Sequence, residues 1–153
     1  MLRIILKRAA SVSKFSAFVL FLLMFCAMNL HSENVQFTVE ITNVVVNNGK
    51  VYLAIFTNAD EFRKENPPIA FELESNRTVL SQEVSLPPGN YLISAFQDTN
   101  GNQKLDYGLF GIPRELIGIS NYDGKGFPSR SFDRHKIPIN SATGKITISL
   151  HKF

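Results

Sequence analysis

LPPGNYLISAFQD, Leu86 to Asp98, is the stretch on which the fold turns. Two prolines and Gly89 predict a tight turn, and a strand restarts at Tyr91. Tyr91, Ile93 and Ala95 fall on one parity, Leu92 and Phe96 on the other. A strand apolar at both parities belongs inside a sheet that is covered on both faces. Tyr91, just after the turn, is expected to pack in the core and bond a backbone group at the strand corner.

Similar signals surround it. Val35, Phe37, Val39 and Ile41 alternate with Gln36, Thr38, Glu40 and Thr42, the period of a half-buried strand. After a turn signal at Asn47–Gly49 comes KVYLAIF, Lys50 to Phe56, apolar at both parities and therefore a second central strand. The charged stretch Asn58–Pro68 reads as a loop with room for one helical turn. Further strands are expected at Ile69–Leu73, Thr78–Leu86, His135–Asn140 and Gly144–Leu150, with Pro138 placing its strand at an edge. No helical period runs beyond two turns. Short strands separated by turns predict one all-β domain, an antiparallel β-sandwich of about seven strands, Ig-like or prealbumin-like.

From Asp98 to Arg134 the alternation fails, except at Leu116–Ile119. The segment holds six glycines, yet also Leu105, Leu109, Phe110, Ile112, Phe127 and Phe132. That is too apolar for disorder. An ordered loop packed over one sheet face is expected, and it would cover the outer side of Lys50–Phe56.

The chain has 153 residues with 16 basic and 13 acidic side chains. Four of the basic ones (Arg3, Lys7, Arg8, Lys14) lie in the first 32 residues, which contain no acid. The rest is nearly neutral, which leaves no basic patch for nucleic acid. The basic start followed by the 14-residue apolar run Phe15–Met28 reads as a signal peptide over 1–32. Residues 33–153 would then form one domain, periplasmic or secreted, with no membrane span after cleavage. An uncleaved anchor is the alternative. The only cysteine, Cys26, lies in that segment, so the mature chain is expected to use no disulfide and no thiolate chemistry.

Chemistry concentrates in DTNGNQKLD, Asp98 to Asp106. Asp98, Asn100 and Asn102 occupy positions 1, 3 and 5 of a D-x-[DN]-x-[DN]-G calcium loop, Lys104 would offer its carbonyl at position 7, and Asp106 fills position 9. Position 6 is Gln103 rather than Gly, and position 12 is Leu109 rather than Glu. A missing bidentate carboxylate would come from Glu115, or next from Asp123. With two loop carboxylates, Ca²⁺ binding on the order of 10⁻⁴ to 10⁻³ M is expected. The competing reading is a plain Asx turn. His135 and His151 have no third ligand at metal spacing and read as surface residues.

LPPGNYLISAFQDTNGNQKLDYGLFGIPRELIGISN, with GFPSRSF after it, resembles the DUF2141 family of exported bacterial proteins of unknown function. The shared pattern maps to Pro88–Tyr91, Asp98–Asp106, Gly111–Glu115, Gly118–Asn121 and Pro128–Phe132. The family commonly has Gly where Gln103 stands. The resemblance implies an exported β-sandwich and implies no activity. The expected function is a non-catalytic cell-envelope module, binding or structural, with a weak Ca²⁺ site ordering 98–134 and an envelope or extracellular partner. An envelope hydrolase using Asp98 or Asp106 with Glu115, or a small-ligand carrier with a cavity between the sheets, are the alternatives.

Overall fold

The computed structural model describes residues 33–153; the expected signal segment lies outside them. The order is β1 (Val35–Thr42), β2 (Lys50–Phe56), a short helix α1 (Ala59–Arg63), β3 (Ile69–Glu74), β4 (Leu80–Leu86), β5 (Gly89–Asp98), β6 (Leu116–Ile119), a one-turn helix α2 (Phe132–His135), β7 (Ile137–Ile139) and β8 (Lys145–Ser149). One sheet runs β4-β1-β8 and the other β3-β2-β5-β6, with β7 also pairing with β5. The described residues are all-β, an open sandwich of eight strands. Val39, Ile41, Val51, Leu53, Ile55, Ile93 and Ile148, all fully buried, form the core between the sheets.

The alternating segments became strands because period two sets their apolar side chains on one face. In β1, Val35, Phe37, Val39 and Ile41 are buried while the intervening residues are exposed or half-buried. β2 and β5 are central, each paired on both sides. Tyr91 is buried, and its hydroxyl donates to the Pro87 carbonyl at 2.9 Å, the expected corner contact.

One pair is parallel. β8 runs alongside β1 in the same direction, whereas β4 pairs with β1 antiparallel. The sandwich is therefore mixed rather than antiparallel throughout. A parallel pair needs a long crossover, and here the whole second sheet intervenes between the two strands. Alternation carries no information on direction, so the sequence pattern is the same either way.

The region 98–134 is a hairpin connection, then β6, then a loop ending in α2. It covers the outer face of β2 only in part. Phe132 packs with Phe56 and Leu92, joined by Phe62 of α1, whose ring meets Phe56 edge-on at 5.3 Å. Farther along, Tyr52 is stacked on Phe96 at 5.2 Å, so β2 and β5 cover part of this face themselves.

His135 is buried, contrary to the surface reading. The edge of β5 is shared by β7 at its start and β6 at its end. In the gap between them, the Ser120 hydroxyl accepts from the Ile93 N–H (3.0 Å) and donates to the His135 carbonyl (2.6 Å). The His135 Nδ1 bonds the Ser120 carbonyl at 3.0 Å. A buried backbone N–H left over between two partners must be satisfied, and this Ser–His pair does so.

Past β8, His151 forms an antiparallel bridge with Ile117 of β6, which links the two sheets along one side. Gly118 sits where they meet. A Cβ there would lie 2.5 Å from the Ser149 carbonyl oxygen and 2.7 Å from the Ile148 Cγ2. Gly118→Ala should therefore force the sheets apart and cost about 1–3 kcal/mol in thermal or urea unfolding. Gly144→Ala, with nothing within 4 Å of the added methyl, should stay within about 0.5 kcal/mol of the parent. Equal stability of the two variants would contradict the close approach at Gly118.

Candidate functional site

Asp98 ends β5, and Glu115 directly precedes β6. The β5–β6 ladder ends with Gln97 opposite Leu116, so one further step sets Asp98 against Glu115. Both carboxyls are buried, at 1% and 3% exposure. Residues 99–114 form the loop of this hairpin, and its base is two acids where a sheet normally places apolar or neutral pairs.

The backbone reveals why they are tolerated. The Asp98 Oδ1 accepts from the Gly101 N–H and its Oδ2 from the Gln103 N–H, both at 2.8 Å. The Glu115 Oε1 accepts from the Thr99 N–H and its Oε2 from the Asp106 N–H, both at 3.2 Å. Four loop amides thus converge on two carboxyl groups. Such bonds favour the charged form, but for Glu115 burial weighs more and raises its pKa above the ordinary value, with the nearby Asp98 and Asp106 charges pushing the same way.

The rest of the loop turns toward Asp106. The amides of Asn100 and Asn102 donate to its Oδ2 at 2.6 and 2.8 Å. Their carbonyl oxygens accept from the N–H groups two residues on, Asn102 and Lys104, as in Asx turns. Gln103 has φ 62, the left-handed conformation that Gly adopts freely, and Gly101 has φ 74. So the departure at position 6 changes the residue and not the turn. Leu105 is half-buried.

Of the residues singled out from sequence, Asn100, Asn102, Asp106 and Glu115 share one hydrogen-bonded network, and Asp98 holds the same loop separately through the Gly101 and Gln103 N–H groups. Lys104 belongs to that network through its N–H. Asp123 does not: it is exposed and accepts from the Lys125 N–H. Among the described residues no group of three or more His, Cys, Asp or Glu has the arrangement to hold a metal ion. A cation in this loop would therefore draw on Asn and backbone oxygens beside the carboxylates. That donor set, oxygen only, fits a hard cation with a high coordination number.

Two supports of the site lay outside the sequence reading. Gln97, fully buried, donates to the Val45 and Asn48 carbonyls (2.6 and 2.8 Å) and accepts from the Val45 N–H (3.0 Å). It ties the β1–β2 connection to the end of β5. Its signal was present: Gln97 continues the inward parity of Tyr91, Ile93 and Ala95. Gly49, at φ 77, lets that connection lie against Asp98, since a Cβ would fall 1.8 Å from the Asp98 carbonyl oxygen. Two described hollows, of about 280 and 290 Å³, are lined by residues of 73–81 and by Ile119 and 121–123 with Thr147 and Ser149. Neither adjoins this loop.

No curated protein and no solved structure matches the chain. The family model described as an uncharacterized protein conserved in bacteria matches residues 39–147, from β1 through β8 and across the whole loop. The chain belongs to the DUF2141 family.

Proposed function

We propose that this is an exported, non-catalytic envelope module whose 99–114 loop is ordered by a weak Ca²⁺ site. The observation that carries the reading is the pair of buried carboxyls, Asp98 and Glu115, facing each other at the base of a loop whose oxygens and amides turn inward. Asp98, Asn100, Asn102 and Asp106 would supply side-chain oxygens, Lys104 its carbonyl, and Glu115 a further carboxylate. The ion would offset the negative charge of Asp98 and Glu115 at the sheet end and of Asp106 in the loop above them. Each carboxylate oxygen of Asp98 and Glu115 keeps a lone pair beyond the one its backbone donor uses, and Asp106 has its Oδ1 outside the two Asn bonds.

The hydrolase alternative calls for carboxyls facing an open cleft. Asp98 and Glu115 are buried, and all four of their oxygens already accept backbone N–H groups. A structural use of these acids accounts for that arrangement with fewer changes.

A thermal melt of residues 33–153 across a calcium titration tests the reading. At 10 mM Ca²⁺ and a Kd of 10⁻⁴ to 10⁻³ M, binding should add about 1.4–2.7 kcal/mol over the EGTA sample. Asp106→Ala should abolish that gain while costing little in EGTA, because its side-chain partners are exposed Asn amides. Identical melts of the parent with and without calcium would refute the site.

The raised pKa of Glu115 gives a second prediction. In EGTA, the folded state holds its proton to higher pH than the unfolded state does. Stability should therefore fall as pH rises from the ordinary Glu value through the raised folded value, and level off above it. Glu115→Gln should flatten this slope in chemical denaturation between pH 4 and 8. Saturating calcium, by favouring the carboxylate, should flatten it in the parent as well. A slope unchanged in Glu115→Gln would assign the pH dependence to another group.

A further inference from the structure

Within the loop, Tyr107 and Pro113 form an isolated antiparallel bridge, and the Gly108 N–H donates to the Ile112 carbonyl at 2.7 Å. Residues 107–113 are thus a small finger whose tip is Leu109–Phe110–Gly111. Leu109 is 81% exposed and Phe110 97%. These are the two most exposed of the large hydrophobic side chains among the described residues. Phe110 also has φ 63, a left-handed conformation that is unfavourable for a bulky residue. A strained backbone that holds an aromatic ring in water is unexplained by folding alone.

The surroundings of the finger indicate what would cover it. Arg114 lies along Gly108, Arg130 stacks on the Tyr107 ring at 4.8 Å, and the Lys152 ammonium donates to the Arg114 carbonyl. Lys104 is exposed on the same loop. None of these four cations is in an ion pair among the described residues. The acids nearby do not pair with these cations: Glu65 accepts from the Tyr107 hydroxyl, Asp106 from the two Asn amides, and Glu115 is buried. An apolar tip above a collar of free cations is complementary to one kind of surface, an apolar layer beneath anionic headgroups.

We propose that the 107–113 finger docks on an anionic lipid bilayer, with Leu109 and Phe110 entering the interface while Arg114, Arg130 and Lys152 face the headgroup phosphates. The finger is closed by its own backbone bonds, so this docking is independent of whether the loop binds calcium.

The chain has no tryptophan, so Phe110→Trp places a single reporter at the tip. Residues 33–153 carry the described core clusters and strand pairings, and this part omits the apolar run Phe15–Met28. In EGTA, with phosphatidylglycerol-containing vesicles, the emission should shift to the blue and be quenched by lipids brominated on the acyl chain. Vesicles of phosphatidylcholine alone should give a much smaller change. In co-sedimentation, Leu109→Ser with Phe110→Ser should weaken binding to the anionic vesicles about tenfold or more, and Arg114→Glu should weaken it without altering the melt. An unshifted emission with anionic vesicles, or full binding by the double serine variant, would overturn the proposal. So would concentration-dependent self-association that the double variant abolishes, since that would assign the tip to a second copy of the chain.

Discussion

The constraint on which the rest depends is electrostatic. Two carboxyl groups, Asp98 and Glu115, are buried opposite each other where β5 hands over to β6. Buried charge is unfavourable unless it is paired or hydrogen-bonded. The loop between them supplies four backbone N–H groups, and this requirement shapes it: left-handed turns at Gly101 and Gln103 aim the amides of those residues at Asp98. The loop is therefore folded around its acids rather than over an apolar patch. The β1–β2 connection closes the other side, through Gly49 against the Asp98 backbone and Gln97 beneath it.

The scaffold makes this placement possible. β5 is long and central, held by β2 on one edge and by β7 and then β6 on the other. The change of partner leaves a gap that Ser120 and His135 fill with mutual hydrogen bonds. With β5 fixed along its whole length, its end is a rigid platform. Function on a loop set by a rigid scaffold is a common arrangement. Here the same loop carries the inward acids and, farther out, the exposed Leu109–Phe110 tip.

Most of the fold was legible in the sequence because it rests on period two. The strands at Val35, Lys50 and Ile69 begin where the pattern sets them, β5 begins at Gly89, two residues before the expected restart at Tyr91, and β8 (Lys145–Ser149) lies within the expected Gly144–Leu150. The parallel β1–β8 pair was not legible, since side-chain alternation is blind to strand direction. Burial of His135 was hidden too: it braces Ser120, whose hydroxyl accepts the leftover Ile93 N–H, a need that arises only when β6 and β7 meet the same edge. At the loop, the spacing of Asp98, Asn100, Asn102 and Asp106 marked the segment whose polar side chains turn back on its own backbone, and Glu115 closes it from beyond the loop. The departure at Gln103 is one of residue only: the left-handed φ is kept and its backbone N–H is held by Asp98.

The most direct measurement is an ¹⁵N–¹H correlation spectrum of residues 33–153 through a calcium titration, with magnesium as comparison. The account predicts that the amide signals of Thr99, Gly101, Gln103 and Asp106, the four that bond Asp98 and Glu115, move together and saturate in the millimolar range, with calcium far more effective than magnesium. Signals that stay fixed to 10 mM calcium while the sheet remains folded would contradict it, and would leave the buried acids as a hydrogen-bonded turn.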